Sequence, residues 1–156
     1  MENSTQIPAW AIASEIELVY KSKVKASQRP SISTSSDAYK ILLQIWDHDK
    51  IDLVEQFKVL LLNRANKVLA VYQVSSGGIT GTVADPRLIF TAALKSNAVS
   101  LVLSHNHPSG NLKPSRADEE LTNKVRNAGA FLDIKVIDHI IISSEGYLSF
   151  ADEGLL

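Results

Sequence analysis

The chain has no cysteine among its 156 residues. That excludes disulfides, thiol catalysis, iron–sulfur clusters and cysteine-ligated zinc, so any metal must be held by His, Asp or Glu. No apolar run approaches the roughly 20 residues of a membrane span. The opening Met1-Glu2-Asn3-Ser4 lacks a basic region followed by an apolar one, so no secretory signal is read and the expected location is the cytoplasm, away from membranes. A basic excess is also missing: the net charge is −1, which disfavours a free-standing, affinity-driven DNA binder. No internal repeat, low-complexity tract or interdomain linker interrupts the chain. What remains is ordinary globular composition, 45% hydrophobic and 21% charged. A chain of this size buries about 70% of its unfolded surface in one domain.

The patterning is mixed α/β. Residues 1–12 read as a lead-in. Residues 14–24 alternate Ile16, Leu18 and Tyr20 with Glu15, Glu17, Lys21 and Lys23, which predicts a half-buried strand. Lys21, Lys23 and Lys25 would share one face of it, either as a solvated edge guard or as a stripe that contacts polyanions. Residues 26–36 are a Ser-rich connection. A helix is expected over 37–48, capped by Ser35 or Ser36, with Ala38, Ile41, Leu42, Ile45 and Trp46 on one face. Segments 54–63 and 67–75 read as a hairpin, and Ser75-Ser76-Gly77-Gly78 as a loop that no Gly-Lys-Ser/Thr turns into a phosphate cradle. Asp85-Pro86 opens a helix over 86–97 with Leu88, Ile89, Ala92, Ala93 and Leu94 inside. Residues 98–103 read as a buried strand, 104–114 as a loop, and 115–127 as a helix stopped by Gly129. Strands follow over 133–142 and 147–150. The expected division is a lead-in and strand over 1–36 and the main domain over 37–156.

The chemistry concentrates between Ser104 and Asp118. His105 and His107 stand two apart at a strand end, where side chains at i and i+2 point the same way about 6.6 Å apart. Two imidazoles so placed can share an ion at Zn–N distances of about 2.0–2.1 Å. Asp118, in the first turn of the next helix, is the candidate third ligand. Two His and one carboxylate leave a fourth position for water, the arrangement of a catalytic rather than a structural zinc. Glu55 is the candidate general base, because a carboxylate opening an apolar strand is otherwise costly if buried. Ser115 heads a Ser-x-x-Asp helix start, so it caps the helix, places its hydroxyl against a developing oxyanion, or does both. Ser104, Asp138 and His139 are candidates to orient a ligand from behind. Asp138 and His139 read equally as satisfied polar groups in a central strand, with Val136 and Ile140 on the face of Asp138 and Ile137 and Ile141 on that of His139. His48, between Asp47 and Asp49, reads as solvated. The letters His105-Asn106-His107 spell HNH, but nucleases of that name spread those residues over a ββα unit. The metallo-β-lactamase pattern would need an acid and an imidazole after Pro108, where Ser109 and Gly110 stand.

Glu55, then Ser104-His105-Asn106-His107-Pro108, then Pro114-Ser115-Arg116-Ala117-Asp118 resemble the JAMM motif of the MPN (JAB) domain metalloproteases. With Ser109-Gly110 and the later Asp138-His139-Ile140-Ile141, the string resembles the bacterial RadC branch over roughly residues 37–153. The resemblance implies a mixed sheet flanked by helices in a three-layer, cytidine-deaminase-like architecture. It implies one Zn²⁺ per chain on His105, His107 and Asp118, with Glu55 as base and Ser115 assisting at the oxyanion. It implies a peptide or isopeptide substrate, often at a ubiquitin-like C-terminus. RadC-type proteins also carry the label of DNA repair, so a repair-associated DNA factor or a metal-dependent nuclease is the alternative expectation. Full-length RadC proteins resemble a fusion of a helix-hairpin-helix region to this domain. Residues 1–50 hold no such pair of helices, and the short, stand-alone form is expected.

Overall fold

The computed structural model describes residues 19–77 and 83–156. Among these, strands β1 (Gln56–Leu62), β2 (Val68–Ser76), β3 (Ser100–Asn106), β4 (Lys135–Ile142) and β5 (Tyr147–Ser149) form one sheet in the order β2-β1-β3-β4-β5. Helices α1 (Ser35–Ile45), α2 (Pro86–Lys95) and α3 (Arg116–Phe131) cover it. The β3–β4 pair is parallel, bridged by the α3 crossover, and the other pairs are antiparallel. The central strands β1 and β3 are buried along their whole length, which is why they read as near-continuous apolar runs. On one face Phe57, Val59, Leu61, Leu101 and Leu103 pack under α2 and α3. On the other, Leu60, Leu62, Val102, Ile140 and Ile142 pack under α1. Mixed α/β architecture with helices on both faces is as expected. No helix among the described residues is long and apolar enough to cross a membrane.

Several boundaries move, each for a local reason. Helix α1 starts earlier because Thr34, not Ser35 or Ser36, is the cap: its hydroxyl accepts the Asp37 N–H and the Asp37 carboxylate accepts the Thr34 N–H. It buries Ala38 and Leu42, while Ile45 at its end is exposed. In α2, Asp85 and Pro86 open the helix as expected, but Leu88 and Leu94 face outward and Phe90 takes the inner place. Helix α3 runs through Gly129 to Phe131. Gly129 is there for closeness rather than termination: a Cβ on it would sit 2.3 Å from the Ile134 carbonyl oxygen. Strand β3 continues past Leu103 to Asn106, because β1 and β4 flank it and pair its polar end on both sides (His105 with Phe57 and with Ile141). In β4 the register against β3 jumps from Leu101–Val136 to Val102–Asp138, so Ile137 is an extra residue. This bulge puts Val136 in the core under α2 and α3 and Ile137 against the core under α1, reversing their expected faces.

Of the predicted strand 14–24, residues 14–18 lie outside the described residues, and 19–24 form no strand. Lys21, Lys23 and Lys25 are exposed and share no strand face. Tyr20 instead donates its hydroxyl to the Leu69 carbonyl of β2. The segment before α1 joins the fold: Val68 N–H donates to the Pro30 carbonyl, and Ile32 is buried in the core under α1.

Candidate metal centre

Strand β3 delivers His105 on the face under α2 and α3, and the chain leaves the sheet at His107, whose N–H still donates to the Ile142 carbonyl at 3.0 Å. A tight turn follows, with Pro108 inside it and the Gly110 N–H on the His107 carbonyl at 2.9 Å. Gly110 has φ +79°, a conformation that favours glycine. The turn places the Asn111 carbonyl 2.5 Å from His107 Nδ1. A carbonyl only accepts, so Nδ1 donates and the Nε2 of the neutral ring carries a lone pair.

Asp118 reaches the same place from the first turn of α3. Ser115 caps that helix, its Oγ accepting the Asp118 N–H at 3.1 Å, while Asp118 Oδ2 accepts the Ser115 N–H at 2.7 Å. The carboxylate also lies 3.3 Å from His105 Nε2 and 3.7 Å from His107 Nε2. The two Nε2 atoms are 2.9 Å apart. One ligand atom from each of the three residues falls within 4.8 Å of the others. Two imidazole edges and a carboxylate, all basic donors, therefore converge, and such a set fits a divalent cation of borderline softness. The electrostatics agree. Burial alone would raise the Asp118 carboxyl, but the His105 and His107 imidazoles outweigh it and hold Asp118 far below the ordinary carboxylate range. Asp118 in turn raises His107, against partial burial, with the Asn111 carbonyl and the nearby Glu55 charge adding to it.

Glu55 stands immediately before β1, and its carbonyl accepts the Gly77 N–H at 2.8 Å. Its neighbours are tied down by Asn106, which sequence reasoning passed over. Asn106 Oδ1 accepts the Gln56 N–H at 2.7 Å, and Nδ2 donates to the Ile51 and Val54 carbonyls at 2.6 and 2.8 Å. The residue between the two histidines thus clamps the segment that carries Glu55, and its presence inside His-x-His was the available signal.

The three residues expected behind the ligands divide. His139 is fully buried, and its Nε2 lies 2.8 Å from His105 Nδ1. It stacks on Phe150 at 4.6 Å and meets Phe57 edge-on. Burial, and then the neighbouring His105, lower its pKa well below the ordinary value. Ser104 points to the α1 side and donates to the Ile140 carbonyl at 2.8 Å. Asp138 also faces α1, where its carboxylate accepts from Ser149 Oγ at 2.7 Å and from the N–H groups of His139 and Ala151. Burial raises its pKa, and these donors only partly offset the rise. His48 is exposed, as expected.

The sequence profile described as RadC-like JAB domain matches residues 32–155. A UPF0758 protein of Flavobacterium johnsoniae is 47% identical over 124 residues, 80% of this chain and 53% of that protein. One from Porphyromonas gingivalis is 42% identical over 131 residues, 83% and 56% of the two chains. One from Caldanaerobacter subterraneus is 34% identical over 163 aligned positions, 99% and 68%. The chain spans about half the length of the first two.

Proposed function

The chain belongs to the RadC-like JAB domain family, and from that premise we propose that it is a zinc-dependent hydrolase of amide bonds, acting on a peptide or isopeptide. The observation that carries this reading is the convergence of one ligand atom each from His105, His107 and Asp118 within 4.8 Å. Two imidazoles and one carboxylate would hold a single Zn²⁺ and leave a position for water. When bound, the ion supplies Lewis-acid polarisation of a carbonyl and a water whose pKa falls toward about 7. The remaining work belongs to the chain. Glu55 takes the proton of the attacking water and returns it to the leaving amine. Ser115 uses one lone pair to cap α3 and still has its hydroxyl proton to donate to the developing oxyanion. Asn106, between the two histidines, bonds the residues on either side of Glu55, which supports its assignment as the base.

The test has two stages. Metal content of tag-free protein is expected at about one zinc per chain, consistent with a single three-residue site. Glu55→Gln is then compared with the unaltered chain on peptide, isopeptide and plasmid substrates. Retained zinc with amide hydrolysis lowered by about 10²–10⁴-fold is the expected result. Undiminished hydrolysis in Glu55→Gln would remove it as the base, and cleavage of plasmid alone would make the protein a nuclease.

A further inference from the structure

We propose that Thr122 and His139 are positioning residues that dictate which ring nitrogen of His105 carries its proton. One line of buried groups sets where each hydrogen atom goes. Thr122, one turn after Asp118 on α3, has its Oγ1 2.6 Å from the Asp118 carbonyl oxygen, an atom that only accepts. The single hydroxyl proton is spent there. His139 Nδ1 also lies 2.6 Å from that Oγ1, so the imidazole must be the donor. The Nε2 of neutral His139 is then a lone pair, and His105 Nδ1, 2.8 Å away, must donate to it. The proton of neutral His105 is fixed on Nδ1, and its Nε2 lone pair faces His107 Nε2 at 2.9 Å and Asp118 Oδ1 at 3.3 Å, acceptor-to-acceptor contacts that call for a cation or an added proton between them.

Without this line the opposite tautomer would be favoured. Asp118 Oδ1 is 3.3 Å from His105 Nε2 and would attract a proton to it, blocking the atom that a cation needs. The aromatic walls of Phe57 and Phe150 hold the His139 ring in place and leave it no water to bond instead. The consequence for metal affinity rests on reading the cluster as a metal site, but the tautomer itself does not.

The full chain, labelled with ¹⁵N and free of metal, would be studied by long-range proton–nitrogen correlation across the alkaline range. His105 and His139 are both expected as Nδ1–H tautomers. A His105 proton on Nε2 overturns the proposal. Zinc affinity, by chelator competition, is expected to fall about 10–100-fold in His139→Leu, less in Thr122→Val, and to recover in His139→Gln, whose amide can accept from His105 and donate to Thr122. Affinity within about twofold of the unaltered chain in both His139→Leu and Thr122→Val also overturns it. Should His139→Leu not fold, Thr122→Val and the tautomer of the unaltered chain still decide. Absence of zinc binding in the unaltered chain would sink the metal reading, and the nitrogen signals would then judge the hydrogen-bond line alone.

Discussion

At the site end of the sheet, Ser104, Asn106 and Asp138 are buried polar residues on the α1 face, a face that also leaves Gln56 Oε1 and Ser100 Oγ without partners, and His105 and His139 are buried on the opposite face. The first group, Ser104, Asn106 and Asp138, is closed. Each hydroxyl, amide or carboxylate in it meets backbone groups or Ser149 in matched donor–acceptor pairs. The second group is open. Its hydrogen bonds run in one direction, from His105 Nδ1 through His139 and Thr122 to the Asp118 carbonyl, and so leave the His105 Nε2 lone pair facing His107 and Asp118. Burial of a polar side chain therefore does not mark a functional site, because folding requires most such groups to be satisfied. An excess of acceptors aimed at one point does mark it.

His105→Ala tests the open side most severely. Zinc is expected to fall from about one per chain to none, and the stabilisation by zinc at a thousandfold excess over Kd, about 4 kcal/mol, should vanish from the calorimetric trace. Retained stoichiometric zinc would break the contrast. Asn106→Ala tests the closed side. It strands the Gln56 N–H and two carbonyls, at a cost of about 3 kcal/mol in urea unfolding of the metal-free protein, with zinc stoichiometry unchanged. Gly129→Ala, which pushes a methyl group against the Ile134 carbonyl, is expected to cost about 2 kcal/mol by the same measurement. Asp138→Asn sharpens the contrast most gently. Burial raises the folded Asp138 pKa above 3.8, so the stability from that shift is complete below the unfolded value and lost as pH rises through the folded one. The variant, neutral throughout, should lack this slope in unfolding midpoints taken from about pH 4 to pH 7.

The clustering of His105, His107 and Asp118 was legible because these residues are close in sequence and the spacing itself carries the geometry: i and i+2 on a strand end, then a capped helix start. The layered fold was legible from the apolar runs of β1 and β3 and from the Asp85-Pro86 and Ser115-x-x-Asp118 helix starts. Other features depend on pairings far apart in the chain. Polar Ser104 to Asn106 belong to the sheet only because β1 and β4 flank them. The bulge at Ile137 reverses faces that strict alternation assigns. Thr122 looked like any helix residue, yet it stands four positions after Asp118, the interval that puts two side chains on one helix face. Once Asp118 is placed at the site, Thr122 has to face it too.

Gly129 and Thr122 lie on the same helix, seven residues and about 10 Å apart. The close approach of Gly129 to the start of β4 sets how far α3 slides along the sheet, and α3 is stiff enough to act as a ruler between that contact and the cluster. Anything that lifts its far end shifts Asp118 and Thr122 together, moving a carboxylate of the cluster and the hydroxyl beside His139 in a single movement. The dimensions of the cluster therefore depend on a residue at the far end of α3.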